Sequence, residues 1–155
     1  MKKSLLLLPL ALLLLIIGAR MLLRNGIGPL RQELLTQPRI YAYRDWQSTG
    51  VMLHTGDRAY IRARGTWLYT PGEYHGPEGH AEYRAPNTYP IPAIPGGILL
   101  GRIGEEAQPF PVGRGGAVVA DQEGLLYLRI NDDILSDNVG YVEVELTVTP
   151  YEASD

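Results

Sequence analysis

The chain has 155 residues, a formal net charge of −3 and no cysteine. That length accommodates one domain plus an appendage, and the lack of cysteine excludes a disulfide framework, a thiolate metal site, a thiol nucleophile and a lipidated cysteine. Beyond residue 24, ten arginines face seventeen acidic residues; this balance argues against a nucleic-acid partner, because phosphate binding needs a basic surface.

Residues 1–24, MKKSLLLLPLALLLLIIGARMLLR, have a basic start and an unbroken apolar run from Leu5 to Ile17, the layout of an export signal. Ile17 stands where a cut after Ala19 would need a small residue, so the segment reads as an uncleaved transmembrane anchor. Ser4 to Leu23 is long enough to span a bilayer if Arg20 reaches the headgroups. Lys2 and Lys3 favour a cytoplasmic N-terminus, against the pull of Arg20, Arg24 and Arg31 on the other flank. The expectation is a single-pass protein of the bacterial inner membrane, with its domain in the periplasm or extracytoplasmic space. Residues 25–39 read as a linker. It opens on the break NGIGP and contains PLRQELLTQ, either plain linker or a short interfacial helix with Leu30, Leu34 and Leu35 on one side.

Residues 40–155 carry strand patterns. In DRAYIRARG, Ala59, Ile61 and Ala63 face one way and Tyr60, Arg62 and Arg64 the other. GILLGRIG and PFPVG are short strands bounded by glycine or proline. LLYLRIN turns Leu126, Leu128 and Ile130 inward. The last strand buries Val142, Val144, Leu146 and Val148, and leaves Tyr141, Glu143, Glu145 and Thr147 outside. A slip of one residue would bury both glutamates, so the register is well specified. Short strands, glycine-rich turns and no long helical period predict an all-β fold: an antiparallel, jelly-roll-like β-sandwich preceded by one transmembrane helix. The exception is TPGEYHGPEGHAEYRAPNTYPIPAIP, Thr70 to Pro95. It has no strand pattern, and its prolines stiffen it into an ordered loop.

The segment NDDILSDNVG crowds Asp132, Asp133, Asp137 and Asn138 into one loop. Side-chain oxygens of Asp132, Asp137 and Asn138, with carbonyls at Ile134 or Leu135, suit calcium, which takes six to eight oxygens. The bland alternative is turn chemistry at strand ends. The spacing is not that of an EF-hand.

The blocks DWQSTGVMLHTGDRAYIRARGTW, GPEG, GGILLGRIG and GLLYLRINDD…DNVGYVEVEL, in that order over Asp45 to Val148, resemble the calcium-dependent galactose-binding bacterial lectins (the PA-IL-like family). The resemblance implies a calcium site formed by Asp132, Asp137 and Asn138, with backbone carbonyls from Tyr69 and from the acidic loop at Leu135. Sugar hydroxyls would complete the metal shell. The acidic loop is slightly shorter than in the lectins. Their sugar-contacting His and Gln have no counterparts in register; His80 and Tyr83 lie nearby.

Among other candidates, Trp46 and Trp67 are aromatic platforms for a sugar ring. Trp67, in a strand run, reads as core, and Trp46 is left open. His75, His80, Glu78 and Glu82 match no common zinc spacing and read as surface loop residues. Arg62 and Arg64 beside Tyr60 read as a solvated strand face rather than an anion site. No catalytic motif assembles, and Asp132 with Asp137 in one small loop lacks the cleft a glycosidase needs. The expected role is therefore non-enzymatic. The first reading is an accessory subunit that binds partners in a larger membrane complex, its tyrosine-rich loop suited to an interface. The alternative is a calcium-dependent binder of galactoside-type carbohydrate.

Overall fold

The computed structural model describes residues 34–152. The anchor expected over residues 1–24 lies outside them, and no helix of the described residues is long and apolar enough to cross a membrane. The strands are β1 (Leu34–Thr36), β2 (Arg39–Tyr41), β3 (Gln47–Leu53), β4 (Arg58–Thr70), β5 (Glu73–His75), β6 (Leu99–Ile103), β7 (Phe110–Pro111), β8 (Gly115–Val119), β9 (Gly124–Ile130) and β10 (Val139–Thr149). Among the described residues the helical content is one 3₁₀ turn, Leu135–Asp137.

Two antiparallel sheets result. One has the order β1-β10-β4-β5, with β2 also on β10 and β8 also on β4; the other has the order β3-β9-β6-β7. The axis of the first sheet is the β4–β10 ladder, running from Val139↔Leu68 to Thr149↔Arg58. The expected alternation holds along it. Val142, Val144, Leu146 and Val148 are buried against Ala59, Ile61, Ala63 and Trp67 of β4, while Tyr60, Arg62 and Arg64 face outward. The second sheet contributes Val51, Leu53, Leu99, Leu126, Leu128 and Ile130 to the same core. Each such side chain stabilises the fold by about 1.5–3 kcal/mol. On the outer face Arg64 pairs with Glu143 at 3.3 Å and Glu145 at 3.5 Å, which makes it part of a solvated charge ladder worth little individually.

Three elements differ from expectation. Leu34–Thr36, placed in the linker with a helix in view, is instead a strand on β10, Leu34 opposite Val148. The extended edge of β10 offers unpaired backbone groups there, and satisfying them outweighs a weak helical period. Strand β8 carries little hydrophobic pattern because it opens on two glycines and is mostly exposed. Gly115 is required at its start: φ is +129°, and a Cβ would run into the Ile61 carbonyl. Finally, the long Thr70–Pro95 loop begins with strand β5, which folds back on β4 with Trp67 opposite His75.

Asp57 ties the β3–β4 turn to the chain after β10. Its Oδ2 accepts the His54 N–H at 2.9 Å and its Oδ1 the Tyr151 N–H at 2.9 Å. Burial by itself would raise its pKa; the backbone N–H groups of His54 and Tyr151, together with the His54 side chain, outweigh that and hold it below 3.8. A depressed folded-state pKa gives stability that is complete above the unfolded value and lost as pH falls through the folded one. Asp57→Asn is therefore expected to cost about 1–2 kcal/mol at neutral pH. The gap from wild type should close on acidification below pH 4, as measured by urea titrations across pH; a gap constant with pH would refute the assignment.

Candidate functional site

The site lies where β4 and β9 end and β10 begins. Asn131 follows β9 directly and is fully buried. Its carboxamide accepts the Ile91 N–H at 3.0 Å and donates to the carbonyls of Ile91 at 3.0 Å and Pro95 at 3.3 Å. Its backbone bonds Ile98 and Gly97. One side chain thus fastens the proline-rich loop to the second sheet. Pairing between Tyr83 and Gly96 and between Ala85 and Ile94 closes the loop on itself. Asn131→Ala would strand three backbone groups; the expected cost is about 2–4 kcal/mol, with faster hydrogen exchange at the Ile91 amide. Unchanged exchange there would contradict this role.

Asp132 and Asn138 are both buried. Asn138 Nδ2 donates to Asp132 Oδ2 at 2.7 Å and to the Ala42 carbonyl at 3.3 Å, while Asn138 Oδ1 is buried with no partner among the described residues. Tyr69 belongs to the same corner. The β4–β10 register ends at Val139↔Leu68, so the next step of the chain sets Tyr69 beside Asn138, and Tyr69 is bulged out of the β5 pairing. Its hydroxyl is another buried group without a partner among the described residues. Burial, then the nearby Tyr83, Asp132 and Glu73, push that phenol up to about 12. Gly97 has to be glycine here: φ is +72°, and a Cβ would come within 2.5 Å of the Tyr69 ring. Leu135 opens the 3₁₀ turn and its carbonyl accepts the Asn138 N–H at 3.4 Å. Asp137, in contrast, is exposed.

Aromatic rings run from this corner in an unbroken row: Tyr69 to His75 at 5.3 Å, His75 to His80 at 4.5 Å, His80 to Tyr83 at 6.3 Å and Tyr83 to Tyr89 at 6.5 Å. The last ring returns to the acidic loop. Burial, and then the Asp132 carboxylate and Tyr83 that it hydrogen-bonds, push the Tyr89 phenol well above its usual range. Of the two loop residues singled out in the sequence, Tyr83 packs against Tyr89, which lies beside Asp132, and His80 stands one ring further along the row.

Trp46 lies on the other side of Asp132. Together with Thr88, Pro90, Arg102, Arg129 and Asp133, the two line a pocket of about 410 Å³, within the range of small-ligand sites. Arg102 stacks over the Trp46 ring at 4.4 Å and Arg129 lies 5.5 Å from it, so Trp46 is a wall braced by cations rather than a bare stacking platform. Arg129 also holds the loop, donating to the Asp132 carbonyl at 2.8 Å and to Asp45 Oδ1 at 2.5 Å. Burial lowers its pKa, against the pull of Asp45 and Asp132. Trp67 is core, as expected: fully buried, with its indole N–H on the Gly97 carbonyl at 2.9 Å.

No protein-family model matches the chain, and no curated protein does. Among solved structures it is similar to the N-terminal domain of EclA, described as a PllA-like lectin. The TM-score is 0.53 at 25% identity, covering 76% of this chain and 98% of that one. The fold is a lectin-like β-sandwich. Sequence reasoning overlooked Tyr89, Arg102, Arg129 and Asn131. Only Asn131 left a signal, as the polar residue that ends an apolar strand directly before Asp132.

Proposed function

We propose that this domain is a carbohydrate-binding module whose binding site is centred on Asp132. The observation that carries the proposal is the buried Asp132–Asn138 pair, with Asn138 Oδ1 unpartnered. The pair sits between an aromatic row and a pocket walled by tryptophan and arginine. Sugars are held by such a combination: an apolar ring face and a few fixed polar groups. The likeness to a lectin domain supports the same reading.

Calcium fits the donor set, which is all oxygen: the Asp132 carboxylate, the Asn138 carboxamide, and carbonyls of Tyr69 and Leu135, with exposed Asp137 at the rim. Turning the Asn138 carboxamide over exchanges Nδ2 for Oδ1, a change that costs little in shape. It would set an oxygen against Asp132 Oδ2, an arrangement that a cation favours and its absence disfavours. Bound there, calcium would supply positive charge for sugar hydroxyls, with Tyr89 beside Asp132 and Tyr83 packed behind it. A glycan array probed with the purified full chain tests this: hits are expected in calcium and are lost in chelator. An array without hits from folded protein would overturn the carbohydrate reading.

A second reading, an accessory subunit held at the membrane by residues 1–24, draws on a different face. Tyr41, Tyr43 and Tyr141 cluster with ring separations of 5.5 and 5.6 Å under Arg44 and Arg39. Exposed tyrosine and arginine are the residues that anchor protein interfaces. Gentle extraction from native membranes separates the two readings: a stoichiometric companion supports the subunit, and recovery of the chain alone supports the free lectin.

A further inference from the structure

We propose that Glu73, His75 and His80 form a second metal site, distinct from the acidic loop and suited to a transition-metal dication of the zinc class. Glu73 and His75 are two residues apart on β5 and so share one side of the strand. The turn closed by the Gly79 N–H on the Gly76 carbonyl reverses the chain, and the His80 N–H on the Gly96 carbonyl fixes where it returns. The two imidazoles end 4.5 Å apart. None of this is visible in the spacing of His75, His80, Glu78 and Glu82. Glu78 turns away to Arg114 at 2.6 Å, and the carboxylate that joins the histidines is Glu73.

The distances favour a small tetrahedral ion. Glu73 Oε2 lies 3.5 Å from His75 Nε2 and 3.6 Å from His80 Nε2, and all three donor atoms fall within 4.8 Å of one another. Zinc bonds of 2.0–2.1 Å set neighbouring ligand atoms of a tetrahedron about 3.3–3.4 Å apart. Glu73 is therefore nearly at bonding separation from both nitrogens, and the two imidazole nitrogens, within 4.8 Å of each other, would be drawn together by a turn of the partly exposed His80 ring. Thr70 Oγ1, 3.3 Å from His75 Nε2, or water would take the fourth position. Two imidazoles and one carboxylate suit zinc rather than calcium. Among the described residues, no arginine competes for Glu73, whose carboxylate lies against these two histidines. His75 is held edge-on against Tyr69. His80 Nδ1 accepts the Glu82 N–H at 3.2 Å. Metal at Nε2 would move the ring proton to Nδ1 and release that exposed N–H to water, a small cost. The ion would clamp β5 to the loop that carries Tyr83 and Tyr89.

The test is calorimetric titration of the purified full chain with zinc in saturating calcium, paralleled by cobalt(II) absorption. One equivalent is expected to bind, with the intense visible bands of tetrahedral cobalt. His80→Gln should weaken zinc about a hundredfold, and Glu73→Gln should also weaken it. His54→Ala, in the β3–β4 turn, should leave it unchanged. His80 is partly exposed, and circular dichroism verifies that the variant is folded. Zinc affinity equal in wild type and His80→Gln, a six-coordinate cobalt spectrum, or binding that disappears with His54 would each overturn the site and leave the histidines as simple partners of Glu73.

Discussion

Trp67→Ala is expected to destabilise the domain by about 3–5 kcal/mol. Trp67 is the largest fully buried side chain among the described residues, in the last third of β4, and it touches function through its indole N–H, which holds the Gly97 carbonyl. Gly97 in turn bonds the Asn131 carbonyl and lies under the Tyr69 ring. Truncation therefore opens a core cavity and frees the segment on which the binding corner rests. With marginal stability of about 5–15 kcal/mol typical of domains, the variant should unfold at much lower urea, monitored by far-ultraviolet circular dichroism. Trp67→Phe separates the two contributions. It keeps most of the volume, so its loss should be smaller and should report the orphaned Gly97 carbonyl. Equal losses for alanine and phenylalanine would mean that the hydrogen bond, not packing, carries the position.

Asp132→Asn is expected to leave the fold intact and lower glycan affinity by about a hundredfold, equivalent to about 2.7 kcal/mol. The substitution preserves shape and a carbonyl oxygen facing Asn138 Nδ2, so packing is retained. It removes the negative charge that the site is built around: the carboxylate that Tyr89 bonds and the strongest oxygen donor available to calcium. Isothermal titration with a glycan from the array, with and without calcium, measures the effect. If calcium acts through Asp132, the wild type should also melt higher with calcium than with chelator, by mass action on the folded state, and Asp132→Asn should erase that difference. Full-strength glycan binding by Asp132→Asn would move the site away from the acidic loop. The zinc-class site offers an independent check, because its ligands do not include Asp132.

The sequence by itself determined the strands whose two faces differ. In the first half of β4 and along β10 apolar and polar residues alternate, and β9 carries Leu126, Leu128 and Ile130 at every second position; burying one face admits a single register, so Ala59, Ile61, Leu128, Val144 and their neighbours were legible as core. It also determined that Asp132 and Asn138 belong to one loop between β9 and β10. What only the tertiary structure decided was proximity across loops without a repeating pattern. Strand β8 is too rich in glycine to carry a period. Strand β5 is three residues long and hidden among prolines. Leu34–Thr36 joined a sheet because β10 offered it an edge, not because of its own propensity. The site follows the same division. Tyr69 meets Asn138 through the β4–β10 register, which pairs residues far apart in the chain. Glu73 meets His80 only because a glycine turn folds the chain back on β5. Such contacts are set by backbone hydrogen bonds that any residue type can make, so side-chain identity along the chain does not encode them.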